Sequence, residues 1–225
     1  MKQMTVSIVG TSALITHSNH TLADPLHPIT QRIKQITTNK KKTDADIHEA
    51  YRLEFQAGLY LDGDRVVLPA DNVNRMIRDG GAKTPGITGK KAGAYVFVSE
   101  NAPLIYRAPN GEGDSLADRL WTSNDPSFRL IRPVRLNRGA STVIRARPIF
   151  QRWAAEIQVH FDQAEVEESK VLELFTTAGR EVGICEWRPG SPSGGNYGRF
   201  EVLEGADADD AKRIAGALKA LKASA

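Results

Sequence analysis

The chain has 225 residues, of which 40% are hydrophobic and 25% charged, enough apolar material for a sizeable core at an ordinary charge density. A net charge of +3 and a pI of about 9.0 lean weakly basic, so the placement of charge matters more than its sum. The single cysteine, Cys185, excludes an intrachain disulfide and fits a reducing compartment. The apolar run of MKQMTVSIVG is too short for a signal peptide, and no run approaches the roughly 18 apolar residues of a membrane-spanning helix. The expectation is one domain over 1–225, cytoplasmic and without a membrane partner.

Residues 6–15 are β-branched or small and read as a first strand. Residues 19–28 have loop composition. Pro28 suits the first turn of a helix, where Leu26, Ile29, Ile33 and Ile36 share a face. Lys40, Lys41 and Lys42 precede Thr43, which with Asp46 forms a capping-box pattern and opens a helix to residue 55. Residues 17–57 thus form a helical, lysine-bearing excursion between strands, an inserted subdomain. GLYLDGDRVVL, 58–68, predicts a hairpin around Asp62 and Gly63, ended by Pro69. Residues 71–79 predict a short helix with Val73, Met76 and Ile77 inward, closed by Gly80.

The Gly- and Lys-rich stretch 84–94 reads as a mobile loop, 94–99 as a strand, and 108–126 as loop. Residues 128–134 and 141–147 alternate as strands around a turn at Asn137, Arg138 and Gly139. In 153–161, Ala155, Ile157, Val159 and Phe161 fall on one face. Asp162 with Glu165 resembles a second capping box, opening a helix that buries Val166, Val171, Leu174, Phe175 and Ala178 and stops at Gly179. Residues 182–187 and 200–203 read as strands, and 207–222 as a last helix with acids at its start and lysines at its end. The order predicts an α+β fold with an antiparallel sheet.

No carboxylate lies between Asp125 and Glu156, whereas seven arginines do: Arg129, Arg132, Arg135, Arg138, Arg145, Arg147 and Arg152. A second acid-free window, 80–99, holds Lys83, Lys90 and Lys91, and the lysine triplet at 40–42 is a third cluster. Segregated cations of this kind are the electrostatic footprint of phosphate binding. Between the strands 182–187 and 200–203 lies a loop with Gly190, Gly194, Gly195 and Gly198 beside Arg188, Tyr197 and Arg199. Glycine permits close backbone approach, arginine pairs with phosphate, and tyrosine stacks on bases. The loop therefore reads as facing a polyanion.

Of the five histidines, His17 and His20 follow the first strand, where a histidine near phosphate can act as general acid or base. No second such group is evident from spacing. His17, His20 and His27 lack the cysteine or paired carboxylate of a known metal spacing, so no metal or cofactor is assigned. Cys185 reads as a small buried hydrophobe, Trp153 and Trp187 as core or sheet-face residues, and Tyr197 as the better base-stacking candidate.

Three stretches resemble the RAMP superfamily, the ferredoxin-like RNA-binding proteins of CRISPR effector complexes. A first strand, 6–14, is followed by a large insertion. Arg65 to Pro69 leads straight into a helix with Asn72, Arg75 and Arg78, Ala70-Asp71-Asn72 standing where the family has Gly-Ser-Ser. The segment from Ala178 through Gly183 to Gly198-Arg199-Phe200 is similar to the family's glycine-rich element, Asn196-Tyr197-Gly198-Arg199 taking the place of its Gly-x-Gly-Arg-like end.

The resemblance implies a ferredoxin-like (RRM-like) antiparallel sheet with helices on one face and a thumb-like insertion. By position it points to Arg75, Arg78, Arg188, Tyr197, Gly198 and Arg199 as backbone-gripping residues, with Lys40, Lys41 and Lys42 on the thumb. The charge argument adds Arg132, Arg135, Arg138, Arg145 and Arg147. The expected function is binding of a single strand, RNA before DNA, by subunits that self-associate along it, in a CRISPR complex or as a free-standing or phage-borne relative. Two alternatives stand beside it: a metal-independent RNA-processing endoribonuclease using His17 or His20, and an adaptor whose basic face meets an acidic protein.

Overall fold

The computed structural model describes residues 1–136, 141–192 and 194–225. In chain order its elements are β1 (Lys2–Gly10), β2 (Leu14–Ile15), α1 (His20–Ala23), α2 (Pro28–Thr38), α3 (Asp44–Ala57), β3 (Leu61–Asp62), β4 (Arg65–Leu68), α4 (Ala70–Gly81), α5 (Gly89–Tyr95), β5 (Val96–Phe97) and β6 (Ala102–Tyr106). They continue with α6 (Leu116–Thr122), β7 (Arg129–Leu136), β8 (Ser141–Phe150), β9 (Trp153–Phe161), α7 (Glu168–Glu181), β10 (Phe200–Val202) and α8 (Ala208–Ser224). The fold is α+β with a mostly antiparallel, open sheet. It divides into two compact units. The first comprises Met1–Ile15, Leu61–Ala108 and Phe150–Ala225, the second Thr16–Tyr60 and Pro109–Ile149. Residues 17–57 thus share a compact unit with 109–149.

The sheet of the first unit runs β10-β1-β9-β6-β4-β3, and β5 pairs with β9 ahead of β6. Every pairing is antiparallel. The longest register, from Lys2 opposite Phe161 to Val9 opposite Ala154, puts Val6 with Ile157 and Ile8 with Ala155 on one face, all fully buried. Burying each large aliphatic side chain stabilises by about 1.5–3 kcal/mol relative to exposure, which holds this register against a one-residue slip. Helices α4 and α7 meet where Gly80 faces Ala178, and a Cβ at Gly80 would come within 2.8 Å of the Ala178 Cβ. Helix α7 lies on β10 where Gly179 leaves no room for a side chain beside the Phe200 carbonyl.

Helices on one face only were expected, and the structure corrects this. Val9 and Ala154 point to the opposite face, where Ile214, Leu218 and Leu221 of α8 cover them with Ile105 alongside. The stripe Ile214, Leu218, Leu221 at helical spacing needs an apolar partner, and this face supplies one.

Several local expectations also change. The stretch 84–94, read as a mobile loop, contains α5, capped by the Thr88 hydroxyl, which accepts from Lys91 N–H at 3.1 Å. Its glycines serve close packing on α4: a side chain at Gly89 would strike the Arg78 carbonyl at 2.6 Å. The region 108–126, read as loop, forms α6, which buries Leu116, Ala117, Leu120 and Trp121 in the second unit. Asp162 shapes a turn, accepting from Ala164 N–H at 3.1 Å, and α7 starts only after Glu167. Nor does Gly179 stop α7. The helix runs on to Glu181, and Gly183, with its φ of 68° and its 2.8 Å N–H bond to the Ala178 carbonyl, closes it as a left-handed terminus. Residues 182–187 form no strand, because Cys185 (φ 64°) and Trp187 (φ 47°) also take left-handed backbone.

In the second unit, the sequence-predicted caps form as read. Pro28 opens α2, and at α3 the Thr43 and Asp46 side chains bond reciprocally, with Asp46 N–H donating to the Thr43 hydroxyl at 3.2 Å and Thr43 N–H to the Asp46 carboxylate at 2.9 Å. Phe55 of α3 packs on Trp121 of α6 with ring centroids 5.3 Å apart. Strands β7 and β8 pair from Arg129 opposite Pro148 to Leu136 opposite Ser141. The expected turn at Asn137, Arg138 and Gly139 lies outside the described residues.

Two glycine replacements test the packing with opposite signs. Gly179→Ala should cost about 1–3 kcal/mol by overpacking against Phe200. Gly216→Ala, at an exposed position in α8 where a Cβ meets nothing, should stabilise by about 0.5–1 kcal/mol. Urea midpoints of the two variants measure both, and a shift in the same direction would contradict the placement of α7.

Candidate nucleic-acid interface

The first unit carries a groove of about 800 Å³ between α4 and the loop after α7. On the helix side, Asn72, Arg75 and Arg78 recur every three residues along one face of α4. On the loop side stand Cys185, Trp187 and Arg188. The two walls are tied by Asp79. Its carboxylate accepts from Arg188 Nη2 at 3.1 Å and lies 3.5 Å from Arg75 Nε. Asn72 Nδ2 reaches Cys185 Sγ at 3.7 Å. Desolvation at the half-buried Cys185, outweighing that hydrogen bond, pushes its thiol up to about 12, so at neutral pH it stays protonated.

The loop wall is held by backbone geometry. Gly190 N–H donates to the Val182 carbonyl at 2.8 Å, Ile184 N–H to the Gly198 carbonyl at 2.9 Å, and Tyr197 N–H to the Trp187 carbonyl at 3.3 Å. Left-handed backbone at two non-glycine residues costs of order 1–2 kcal/mol each and persists only where the surroundings enforce it. Here both strained residues, Cys185 and Trp187, line the groove. Trp187 and Tyr197 lie with ring centroids 6.3 Å apart, tilted by 47°, a pair of aromatic faces at the groove's loop side.

The groove gathers only part of the predicted set. Arg75, Arg78 and Arg188 line it, and Tyr197 reaches it through Trp187. Arg78 is exposed and its side chain has no ion-pair partner among the described residues. Gly198 and Arg199 lie behind the surface. Gly198 is buried, with its N–H given to the Ala13 carbonyl at 2.8 Å, and Arg199 donates through Nη1 to the Arg180 carbonyl while its N–H meets the Ser12 hydroxyl at 2.9 Å. The sequence shows that glycine permits close approach but not what approaches. Here it is the Ile184 backbone, which a side chain at Gly198 would strike.

The remaining basic residues belong to the second unit, and the arginine stripe is not one free face. Arg129 lies over the Trp121 ring at 5.6 Å and donates to the Ser123 carbonyl. Arg145 and Arg147 each donate to the Glu54 carboxylate at 3.0 Å, and Arg147 is only 8% exposed. Arg147 is therefore an interior ion-pair member, which corrects its reading as a surface grip. Arg132, opposite Arg145, and the lysines at 40–42 are exposed. Arg138 lies outside the described residues, and Arg135 is placed only as a strand position of β7.

The histidines take separate structural posts. His27 caps α2, its Nδ1 accepting from Ile29 N–H at 3.2 Å. His48 meets the Trp121 ring edge, His160 stacks on Phe97, and His20 is exposed at the start of α1. His17 is half-buried with Nε2 3.5 Å from Arg147 Nη2. Burial first, then Arg147 and Arg145, lower its pKa to about 4, so at neutral pH it is uncharged. Among the described residues no group of three or more His, Cys, Asp or Glu could hold a metal ion. Two carboxylates were not anticipated. Asp79 announces itself by its i,i+4 spacing from Arg75, whereas nothing in the sequence distinguishes Glu54 from a surface acid.

No protein-family model matches the chain and no curated protein matches it, so its geometry alone carries the site. No helix among the described residues is long and apolar enough to cross a membrane.

The depressed His17 pKa fixes a sign. The unfolded chain takes up this proton near the ordinary 6.5 and the folded chain only near 4, so His17's stabilising preference is intact above pH 6.5 and lost as pH falls to about 4. His17→Gln should lose less stability than the wild type between pH 6.5 and 4 in urea unfolding. Equal losses would place His17 in solvent.

Proposed function

We propose that this chain binds a single-stranded nucleic acid along its phosphate backbone through the groove of α4 and the loop after α7. The observation that carries the reading is the convergence of Arg75, Arg78 and Arg188, from two separated stretches, on one groove whose loop wall includes Trp187, with Tyr197 packed behind it. Guanidinium groups pair with phosphate oxygens, and aromatic faces accept any base. Asp79 holds two of the three arginines in place, which lowers the entropy cost of orienting them but competes with phosphate for their charge. Arg78 has no such competitor among the described residues and is the strongest single contact in this account.

The fold supports the same reading at a finer level. The order β1, α4, β5 with β6, β9, α7, β10 follows the split β-α-β-β-α-β sequence. β9 lies between β1 and β6, and β1 lies between β9 and β10, so each half leaves a gap that the other fills. A ferredoxin-like core and a relationship to the RAMP superfamily are part of the proposal. So is self-association along the strand. The preference for RNA over DNA follows from that resemblance, as does a thumb role for the lysines at 40–42, which are exposed in the second unit.

Fluorescence anisotropy with a labelled oligonucleotide tests this at two salt concentrations. Three phosphate contacts predict a log–log salt slope near −2, or about a 20-fold loss of affinity between 50 and 200 mM salt. Arg78→Ala should reduce the slope by about 0.7 and weaken binding to all sequences alike. Affinity that does not change with salt would rule out a backbone grip.

A further inference from the structure

The second unit holds a feature that the strand-binding reading leaves unexplained. A cavity of about 630 Å³ lies beside His17, Glu54, Arg145 and Arg147, with Lys34 on its α2 side. The charged groups lining it are three cations and one carboxylate. Glu54, 6% exposed, is fully engaged: Oε1 accepts from Arg145 Nη1 and Arg147 Nη1, and Oε2 from Ala146 N–H, all at 3.0 Å. One carboxylate thus faces two guanidinium groups, one of them nearly sealed from water. A desolvated cation without its full complement of negative charge is costly.

Hydrogen bonding at the same place is incomplete. Thr16 Oγ1, His17 Nδ1 and Arg147 Nε are buried without a partner among the described residues. His17 and Arg147 line the cavity, and Thr16 precedes His17 in the chain. Thr16 is 0% exposed and Arg147 8% exposed, so neither side chain is one that solvent would readily satisfy. A guanidinium only donates, so the 3.5 Å approach of Arg147 Nη2 makes His17 Nε2 the acceptor and puts the imidazole proton on Nδ1. The unmet capacity is therefore mainly N–H donors beside surplus positive charge. Buried groups of this kind call for a specific complement, and the complement here is an acceptor-rich anion.

The rest of the cavity limits which anion. Leu22, Ala23 and Ile33 supply an apolar wall, and the volume lies in the range of small-molecule sites, about 300–1,000 Å³. We infer that the second unit binds a small amphipathic oxyanion, its phosphate or carboxylate head at Lys34, Arg145 and Arg147 and its apolar body against Leu22 and Ile33. This site is independent of the α4 groove, since no residue lines both.

The test follows the His17 imidazole by NMR in the full chain during titration with phenyl phosphate and, separately, benzoate, with sodium chloride at matched ionic strength as reference. A saturable shift is expected with at least one of the two, and the tighter one names the head group. Lys34→Ala, at an exposed position without an ion pair among the described residues, should weaken binding about fivefold. Glu54→Gln keeps the size and removes the competing charge, so it should tighten binding about tenfold. Should Glu54→Gln not fold, Lys34→Ala still decides. Arg78→Ala should leave this titration unchanged, which separates it from strand binding. The inference is overturned if neither compound moves His17, if chloride moves it equally, or if only an oligonucleotide lacking terminal phosphates does so.

Discussion

The groove depends on one fully buried indole. Trp153 begins β9, and its ring occupies the space that a side chain at Gly10 would need. Its Nε1 donates to the Ser12 carbonyl at 2.8 Å, which fixes the chain as it leaves β1. The segment 11–15 then acts as a template for the glycine-rich loop. Thr11 N–H donates to the Arg199 carbonyl, Gly198 N–H to the Ala13 carbonyl, and Glu186 N–H to the Ile15 carbonyl, at 2.9, 2.8 and 3.0 Å. Those contacts pin both ends of the loop, so residues 185–188 are forced across the open side of α4. The left-handed Cys185 and Trp187 are the cost of that path, and the loop's internal backbone bonds offset it.

From this follows a division of labour among residues that look alike in sequence. Arg188 and Arg199 both flank the glycines, yet Arg188 faces the groove and Arg199 ties the loop back to α7. Arg75 and Arg147 both sit in basic stretches, yet one is surface charge held by a neighbouring carboxylate and the other an interior ion-pair member. Partner and burial, not residue type, decide which arginine is open to the backbone of a strand.

What could be read from sequence was whatever depends on near neighbours in the chain. The Thr43–Asp46 box, the turn at Gly63, Pro69 ahead of α4 and the alternation in β9 are local, and each is present as read. Apart from the Asp162–Glu165 pattern, which shapes a turn and not a cap, and Gly179, which α7 passes through, the errors concern distant partners. Helix α5 is glycine-rich because α4 presses on it, and α6 exists because Trp121 and its neighbours are covered by α3. The run 182–187 has strand composition, but its hydrogen bonds go to segments 11–15 and 190–198, which no local pattern reveals. For the site, α4 and Arg188 were legible, since charge and helical spacing suffice. Asp79's bridging role, the retreat of Gly198 and the Glu54 cluster were not, since each needs a second segment of chain.

The central claim is that a strand lies between α4 and the loop at Trp187. Photocrosslinking with an oligonucleotide carrying 4-thiouridine, followed by peptide mass spectrometry, addresses it directly. The account predicts adducts on the peptides containing Trp187 or Tyr197 and on the α4 peptide. Adducts confined to β7 and β8, or to the lysines at 40–42, would contradict it.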